Sequence, residues 1–242
     1  CKAHSASFAL LSFQVAFLKT HYPAHFMENV LNNGGGYYSP EVYINESKRM
    51  GIKILLPSIN ESLWEYKADR NSIRLGFLAI KGFDNSFALN IIRERNSNGK
   101  FVSLADFIVR TGIGYEHTKK LIACGAMDCF KETRPTLMRL IDIYYHKRKI
   151  LDNSYNDLFM NESFRLEEEI KTNTEYSIEE ICSIEYETFG YMVSRHPLQF
   201  FHNAVSAPDI VKSTDLKNYK GKRIKMIGWY MASKRIKTKK GE

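Results

Sequence analysis

The chain has 242 residues, 44% of them apolar and 26% charged, with a formal net charge of +8 at pH 7. That is enough apolar material for a buried core in one large or two small domains. It excludes a membrane-embedded chain, because Lys19 and His21 interrupt the best apolar run short of the roughly eighteen residues that a span needs, so the expectation is a cytoplasmic protein without a membrane partner.

Ser5 to Tyr22 carries Phe8, Leu11, Val15, Leu18 and Tyr22 on one helical stripe and Leu10, Phe13 and Phe17 on another. This predicts a helix covered on most of its circumference, with need of neighbours beyond those this chain supplies. Pro23 opens a second helix that runs to Leu31 and stops at Asn33 and the glycines at 34–36. Those glycines read as a turn, since a phosphate loop would follow a strand and carry a lysine. Ser39 and Pro40 start a third helix ending at Gly51, followed by a short strand in "IKILLP". "WEYKADRNSIRLGF" alternates Trp64, Tyr66 and Ala68 and then, after Asp69-Arg70-Asn71, Ile73, Leu75 and Phe77, the pattern of a β-hairpin.

Helix signals return from Leu78 to Phe130, as two helical pairs joined by glycine hairpins, and continue in an amphipathic helix from Pro135 to Leu151 with basic residues from His146 to Lys149 near its end. Asp152 to Thr174 lacks periodicity and reads as an exposed linker. Ser177 and Glu180 form a capping box, Pro197 starts a further helix through Phe201, and Ile224, Met226, Gly228 and Tyr230 alternate as a final strand. The fold class is mainly α with a small β-hairpin.

Charge is unevenly placed. Residues 157–187 carry ten acidic side chains against Arg165 and Lys171, whereas residues 212–242 carry eleven Lys or Arg against Asp215 and Glu242. Nucleic acid would avoid the first segment and approach the second. The cysteines Cys1, Cys124, Cys129 and Cys182 have no metal-ligand spacing, and no D-x-D, HExxH or G-x-S-x-G occurs. The expectation is therefore no catalytic or metal centre in this chain.

The most specific local pattern is repeated. "LAIKGFDNSFALNII" sets Gly82, Phe83 and Asp84 before a helix with Ala88 at the close-packing position, and "IVRTGIGYEHTKKLI" sets Gly112, Ile113 and Gly114 before a helix with Thr118 there. Glycine permits a tight hairpin of positive φ, so that successive N–H groups and the following helix N-terminus meet a DNA phosphate. Lys81, Lys119 and Lys120 add charge, making the contact sequence-independent and salt-sensitive. Asp84 weakens the first copy because a carboxylate repels phosphate, which makes the second hairpin the better contact. At the N-terminus "KAHSAS" offers two readings: Lys2, His4 and Ser5 hold a triphosphate or template phosphate, or they are a solvated helix start with Ser5 as N-cap. In "SYNDLFMN", Leu158 and Phe159 are either a peptide that docks in a partner's pocket or a staple to their own domain.

In order, "KAHSASFALLSFQVAFLKTHYPAHFM", "RMGIKILLPSINES", "IRLGFLAIKGF", "FVSLADF", "LIACGAMD" and "YETFGYMVSRHPL" before "KRIKMIGWYMASKRIKTKKGE" resemble the C-terminal half of the family C bacterial replicative polymerases, over essentially the whole chain. The resemblance implies the C-terminal part of the fingers in residues 1–75, with Lys2, His4 and Ser5 toward nucleotide or template. It implies a tandem helix-hairpin-helix in residues 76–130 with Lys81, Gly82, Phe83, Gly112, Ile113, Gly114, Lys119 and Lys120 on duplex DNA. A helical and linker region follows in 131–210, and the start of an OB-fold β-barrel in 211–242. Asp157, Leu158 and Phe159 fit the family's internal sliding-clamp peptide, although Tyr155 stands where glutamine is expected. The implied reaction extends a primer with deoxynucleoside triphosphates, using Mg2+ bound outside this chain. The implied partners are primer-template DNA, dNTP, the sliding clamp and other replisome subunits. "GGGYYSPEVYINESKRMG" and "RTGIGYEHTKKLIACGA" lean toward the error-prone relatives. A second reading is a free-standing helix-hairpin-helix adaptor for a repair nuclease, and a third is an RNA-binding or structural protein.

Overall fold

A computed structural model describes residues 2–34, 37–150 and 172–233, the side chains of 146–150 excepted. It opens with α1 (Lys2–His21) and α2 (Pro23–Asn32), broken at Tyr22 (φ −133°, ψ 53°), where Pro23 disfavours helical backbone in the residue before it. Helix α2 buries Ala24, Met27 and Leu31, and the Asn32 amide bonds both Tyr66 O (3.0 Å) and Tyr66 N (2.8 Å), fixing the helix to the sheet. Helix α1 packs on α2 but buries no residue, and Phe13 is 74% exposed. The expected cover on most of its circumference is therefore missing among the described residues, while its expected need of further neighbours stands.

Helix α3 (Pro40–Arg49) leads to β1 (Lys53–Leu55), and β2 (Lys67–Asp69) turns through Arg70 and Asn71 into β3 (Ser72–Arg74). The hairpin is as expected, but β1 also joins β3 in parallel, giving the order β1-β3-β2 with Ile54 opposite Ile73. Gly76 is required by close approach, since a Cβ there would stand 2.3 Å from the carbonyl oxygens of Trp64 and Glu65.

A short 3-10 turn (Phe77–Ala79) precedes Gly82, where the sequence pattern suggests a full helix. Then come α4 (Asn85–Asn98), α5 (Leu104–Thr111) and α6 (Tyr115–Ala123), with Ala88 and Thr118 fully buried at the close-packing positions. Asn60 ties the preceding loop to this region, donating to Phe101 O (2.9 Å) and accepting from Phe101 N (2.8 Å). Helix α7 (Arg134–Ile150) packs on α5 and α6 through buried Leu137, Leu140, Ile141 and Tyr144. At its start Thr133 donates to Thr172 O (2.9 Å) and Thr172 N donates to Thr136 Oγ1 (3.1 Å), so the described chain re-enters against the first turn of α7.

Helix α8 (Ile178–Phe189) begins with the expected Ser177–Glu180 capping box. Its Glu185 is fully buried and accepts from Val193 N (2.7 Å), Ser194 N (2.8 Å) and the Ser194 hydroxyl, while Lys48 of α3 donates to Val193 O (2.5 Å). The "VSRHPL" segment is thus held between α3 and α8. Pro197–Phe201 is a 3-10 turn rather than an α-helix, followed by one helical turn, α9 (His202–Val205). The alternation over 224–230 forms no strand among the described residues, which give only a single bridge between Ile210 and Lys225. Alternation alone does not make a strand where no partner edge is paired with it. An OB barrel is therefore not built by the described residues. One continuous apolar core runs from Ala24 to Val193.

Candidate nucleic-acid interface

The two hairpins share one local conformation. Gly82 and Gly112 both take left-handed backbone, φ +63° and +62°, where a side chain would be strained. The next residue turns inward, Phe83 and Ile113 being 5% and 1% exposed, and the third is the helix N-cap, Asp84 for α4 and Gly114 for α6. Sequence reasoning identifies this register correctly because it is encoded within a few residues.

The copies differ at the helix start. The Asp84 carboxylate accepts from Ser86 N at 2.7 Å, which holds its pKa below the ordinary value, with the charge of His117 adding to the effect. The first turn of α4 is capped and negative. Gly114 makes no side-chain cap, so the first turn of α6 presents its N–H groups without a competing acceptor at that position. Lys119 is exposed on α6, and among the described residues its ammonium makes only a contact with the Tyr115 ring, 5.8 Å from the centroid.

The carbonyl side of the second hairpin faces α7. The Tyr145 hydroxyl donates to Ile113 O and lies 3.0 Å from Thr118 Oγ1, which itself donates to Gly114 O at 3.1 Å. Tyr145 lies in another element and no local signal in the sequence marks it. Lys81 and Lys120, expected on DNA, have protein partners. Lys81 Nζ donates to Tyr186 O at 3.4 Å, and Lys120 Nζ donates to Lys81 O and Gly82 O, each at 3.3 Å. The His117 ring lies 4.1 Å from that of Phe87 of α4, tilted by 44°, and 5.8 Å from that of Phe83, so α6 leans against the first hairpin.

Lys2, His4 and Ser5 share the first turn of α1. That helix already includes Lys2, so Ser5 sits inside it and is not the N-cap considered from sequence. The His4 ring lies 4.5 Å from that of Phe8. Asp157, Leu158 and Phe159 lie outside the described residues. His21 and His25 stand four apart, but the break at Tyr22 leaves His21 against Phe17 (4.3 Å) and His25 on Glu28 (3.2 Å). Among the described residues no group of three or more His, Cys, Asp or Glu could hold a metal ion, and no helix is long and apolar enough to cross a membrane.

The hairpins belong to a helix-hairpin-helix motif: a profile described as "Helix-hairpin-helix motif" matches residues 51–137, a span that takes in the three-stranded sheet. The DNA polymerase III subunit alpha of Staphylococcus aureus (strain Mu50 / ATCC 700699) is 33% identical over 248 residues, covering 100% of this chain and 22% of the relative. The protein of the same name from Campylobacter jejuni subsp. jejuni is 34% identical over 234 residues, covering 90% of this chain and 19% of the relative. The chain is homologous along its whole length to the α subunit of bacterial DNA polymerase III, and it spans about a fifth of the length of these relatives.

Proposed function

We propose that this chain is a piece of a family C DNA polymerase that grips duplex DNA through its second hairpin while the longer polypeptide extends a primer with deoxynucleoside triphosphates. The observation that carries the reading is the geometry of Gly112–Gly114: a left-handed glycine, a buried Ile113 and an uncapped α6 start, with Lys119 exposed beside it. Backbone N–H groups and a nearby cation suit phosphate without regard to sequence. Homology over the whole chain favours this reading over a free-standing repair adaptor, which accounts for the hairpins alone.

On this reading residues 1–75 serve as the end of the fingers, residues 76–130 hold the duplex, 131–210 carry the candidate clamp peptide and 211–242 begin an OB-fold. Lys2, His4 and Ser5 face nucleotide or template, and Asp157, Leu158 and Phe159 meet the sliding clamp in the cytoplasm alongside other replisome subunits. Phosphoryl transfer by paired Mg2+ ions needs converging carboxylates. The described residues offer no such donor set, so no catalytic step is assigned to them.

The test is duplex affinity by fluorescence anisotropy across a salt series, together with primer extension. Expected are salt-dependent duplex binding, about tenfold weaker binding in Gly112→Ala/Lys119→Ala, and no extension by the chain alone. Unchanged duplex affinity in that double variant would sink the assignment to the second hairpin.

A further inference from the structure

Each hairpin has its carbonyl side held by a side chain from another part of the chain. In the second hairpin the holder is Tyr145 of α7, on Ile113 O. In the first it is Lys120, which reaches from α6 to both Lys81 O and Gly82 O at 3.3 Å. The fit is close, since a Cβ on Gly82 would stand 3.3 Å from the Lys120 ammonium. The same hairpin is tied on its other side to α8. Lys81 N donates to Thr188 O at 2.9 Å, Lys81 Nζ to Tyr186 O at 3.4 Å, and the Lys81 stem lies where a Cβ on Gly190 would meet Cε at 2.9 Å.

An ammonium with two carbonyl acceptors is oriented toward the protein, and its charge is partly matched by those dipoles before any phosphate arrives. Lys119 next to it has no such acceptor among the described residues. Adjacent lysines on one helix therefore have opposite orientations, which their sequence could not distinguish.

We propose that Lys120 is a positioning residue: it fixes the first hairpin against the second through Lys81 O and Gly82 O and does not itself contact phosphate. The proposal rests on the duplex-binding reading for its functional consequence, but its structural content stands apart from it. With the first hairpin locked to α6 and α8, the second is presented on a rigid base, and the duplex contact falls to Gly114 and Lys119.

Two measurements on the 242-residue chain decide this. The first is the slope of log K against log salt for a mixed-sequence duplex, in Lys119→Met and Lys120→Met. A lysine that neutralises one phosphate contributes about 0.9 to that slope. Expected is a loss of about 0.9 in Lys119→Met, and in Lys120→Met an unchanged slope with binding about threefold weaker. The second is amide hydrogen exchange at Lys81 and Phe83, whose N–H groups bond Thr188 O and Ile80 O. Lys120→Met is expected to raise exchange there about tenfold, and Lys119→Met to leave it alone. A slope loss in Lys120→Met equal to that of Lys119→Met, or unchanged exchange at Lys81 and Phe83, overturns the proposal. If the wild-type chain binds no duplex, the duplex reading fails while the exchange experiment still decides the role of Lys120.

Discussion

The guanidinium of Arg134 occupies the place where Gly125 would carry a side chain. A Cβ built on Gly125 would lie 2.2 Å from Arg134 Nη2 and 2.8 Å from Asp128 Oδ2, with Gly125 itself at φ +79°. Arg134 is 5% exposed and bonds Asp128 through Nε (3.0 Å) and Nη2 (2.8 Å) and Ala123 O through Nη1 (3.2 Å), closing the end of α6. Gly125→Ala should therefore displace the buried Arg134 guanidinium from the half-exposed Asp128 carboxylate as well as strain the backbone, at a cost of about 3 kcal/mol. Gly112 is also left-handed, φ +62° and ψ 12°, with open space around it, so Gly112→Ala should cost only about 1 kcal/mol. Urea midpoints of the two variants measure the difference, and equal losses would rule out the steric part.

Glu185 holds "VSRHPL" by three donors and is fully buried. Replacing one acceptor oxygen with an NH2 group sets donor against donor, so Glu185→Gln should lose about 3 kcal/mol. Lys48 is partnered across the same segment, its pKa lowered by burial against the opposing attraction of Glu185. The loss in Glu185→Gln/Lys48→Met should fall short of the sum of the singles, as a double-mutant cycle in urea would register.

Glu46 ties α1 and α3, accepting from Arg49 (2.7 and 2.8 Å) and from Lys19 (3.4 Å). Hydrogen bonding from Arg49 pulls its pKa from 4.5 to about 2. A depressed carboxylate pKa contributes stability that is present above pH 4.5 and lost as pH falls toward 2. Because the group lies near the surface, the contribution is about 1 kcal/mol at neutral pH. Glu46→Gln should be less stable by that amount at pH 7, and the gap should narrow below pH 4.5 and close as pH falls to about 2. A pH-independent gap in thermal unfolding would contradict the assignment.

Tyr145→Phe removes the hydroxyl that holds Ile113 O and faces Thr118, leaving a buried carbonyl with one donor fewer. The expected cost is about 1 kcal/mol of stability. Duplex binding should weaken about threefold with an unchanged salt slope, since no charge is lost. Thermal melts and the anisotropy series check both.

What the sequence made legible was local. Positive φ at Gly82 and Gly112 and the Ser177–Glu180 box depend on residues within a turn of each other, and they formed as their patterns indicate. What escaped depends on partners distant in the chain: β1 beside β3, Glu185 under Val193, Lys120 on the first hairpin, Tyr145 on the second. The hairpin glycines could be located by type and spacing, but which lysine turns outward could not, because orientation is set by carbonyls on another element. The apolar stripes of α1 express helical periodicity correctly, yet periodicity says nothing about whether a neighbour is present to cover them.

The bonds from Thr172 to Thr133 and Thr136 bring the described chain back to the beginning of α7, next to residues that the core already fixes. Loop-closure entropy between two pinned points grows with the logarithm of length, about 0.6 kcal/mol for each doubling. A change in the length of the chain between α7 and Thr172 therefore costs little in closure entropy. Evolution can thereby revise the length of that stretch without renegotiating the hairpins that precede it.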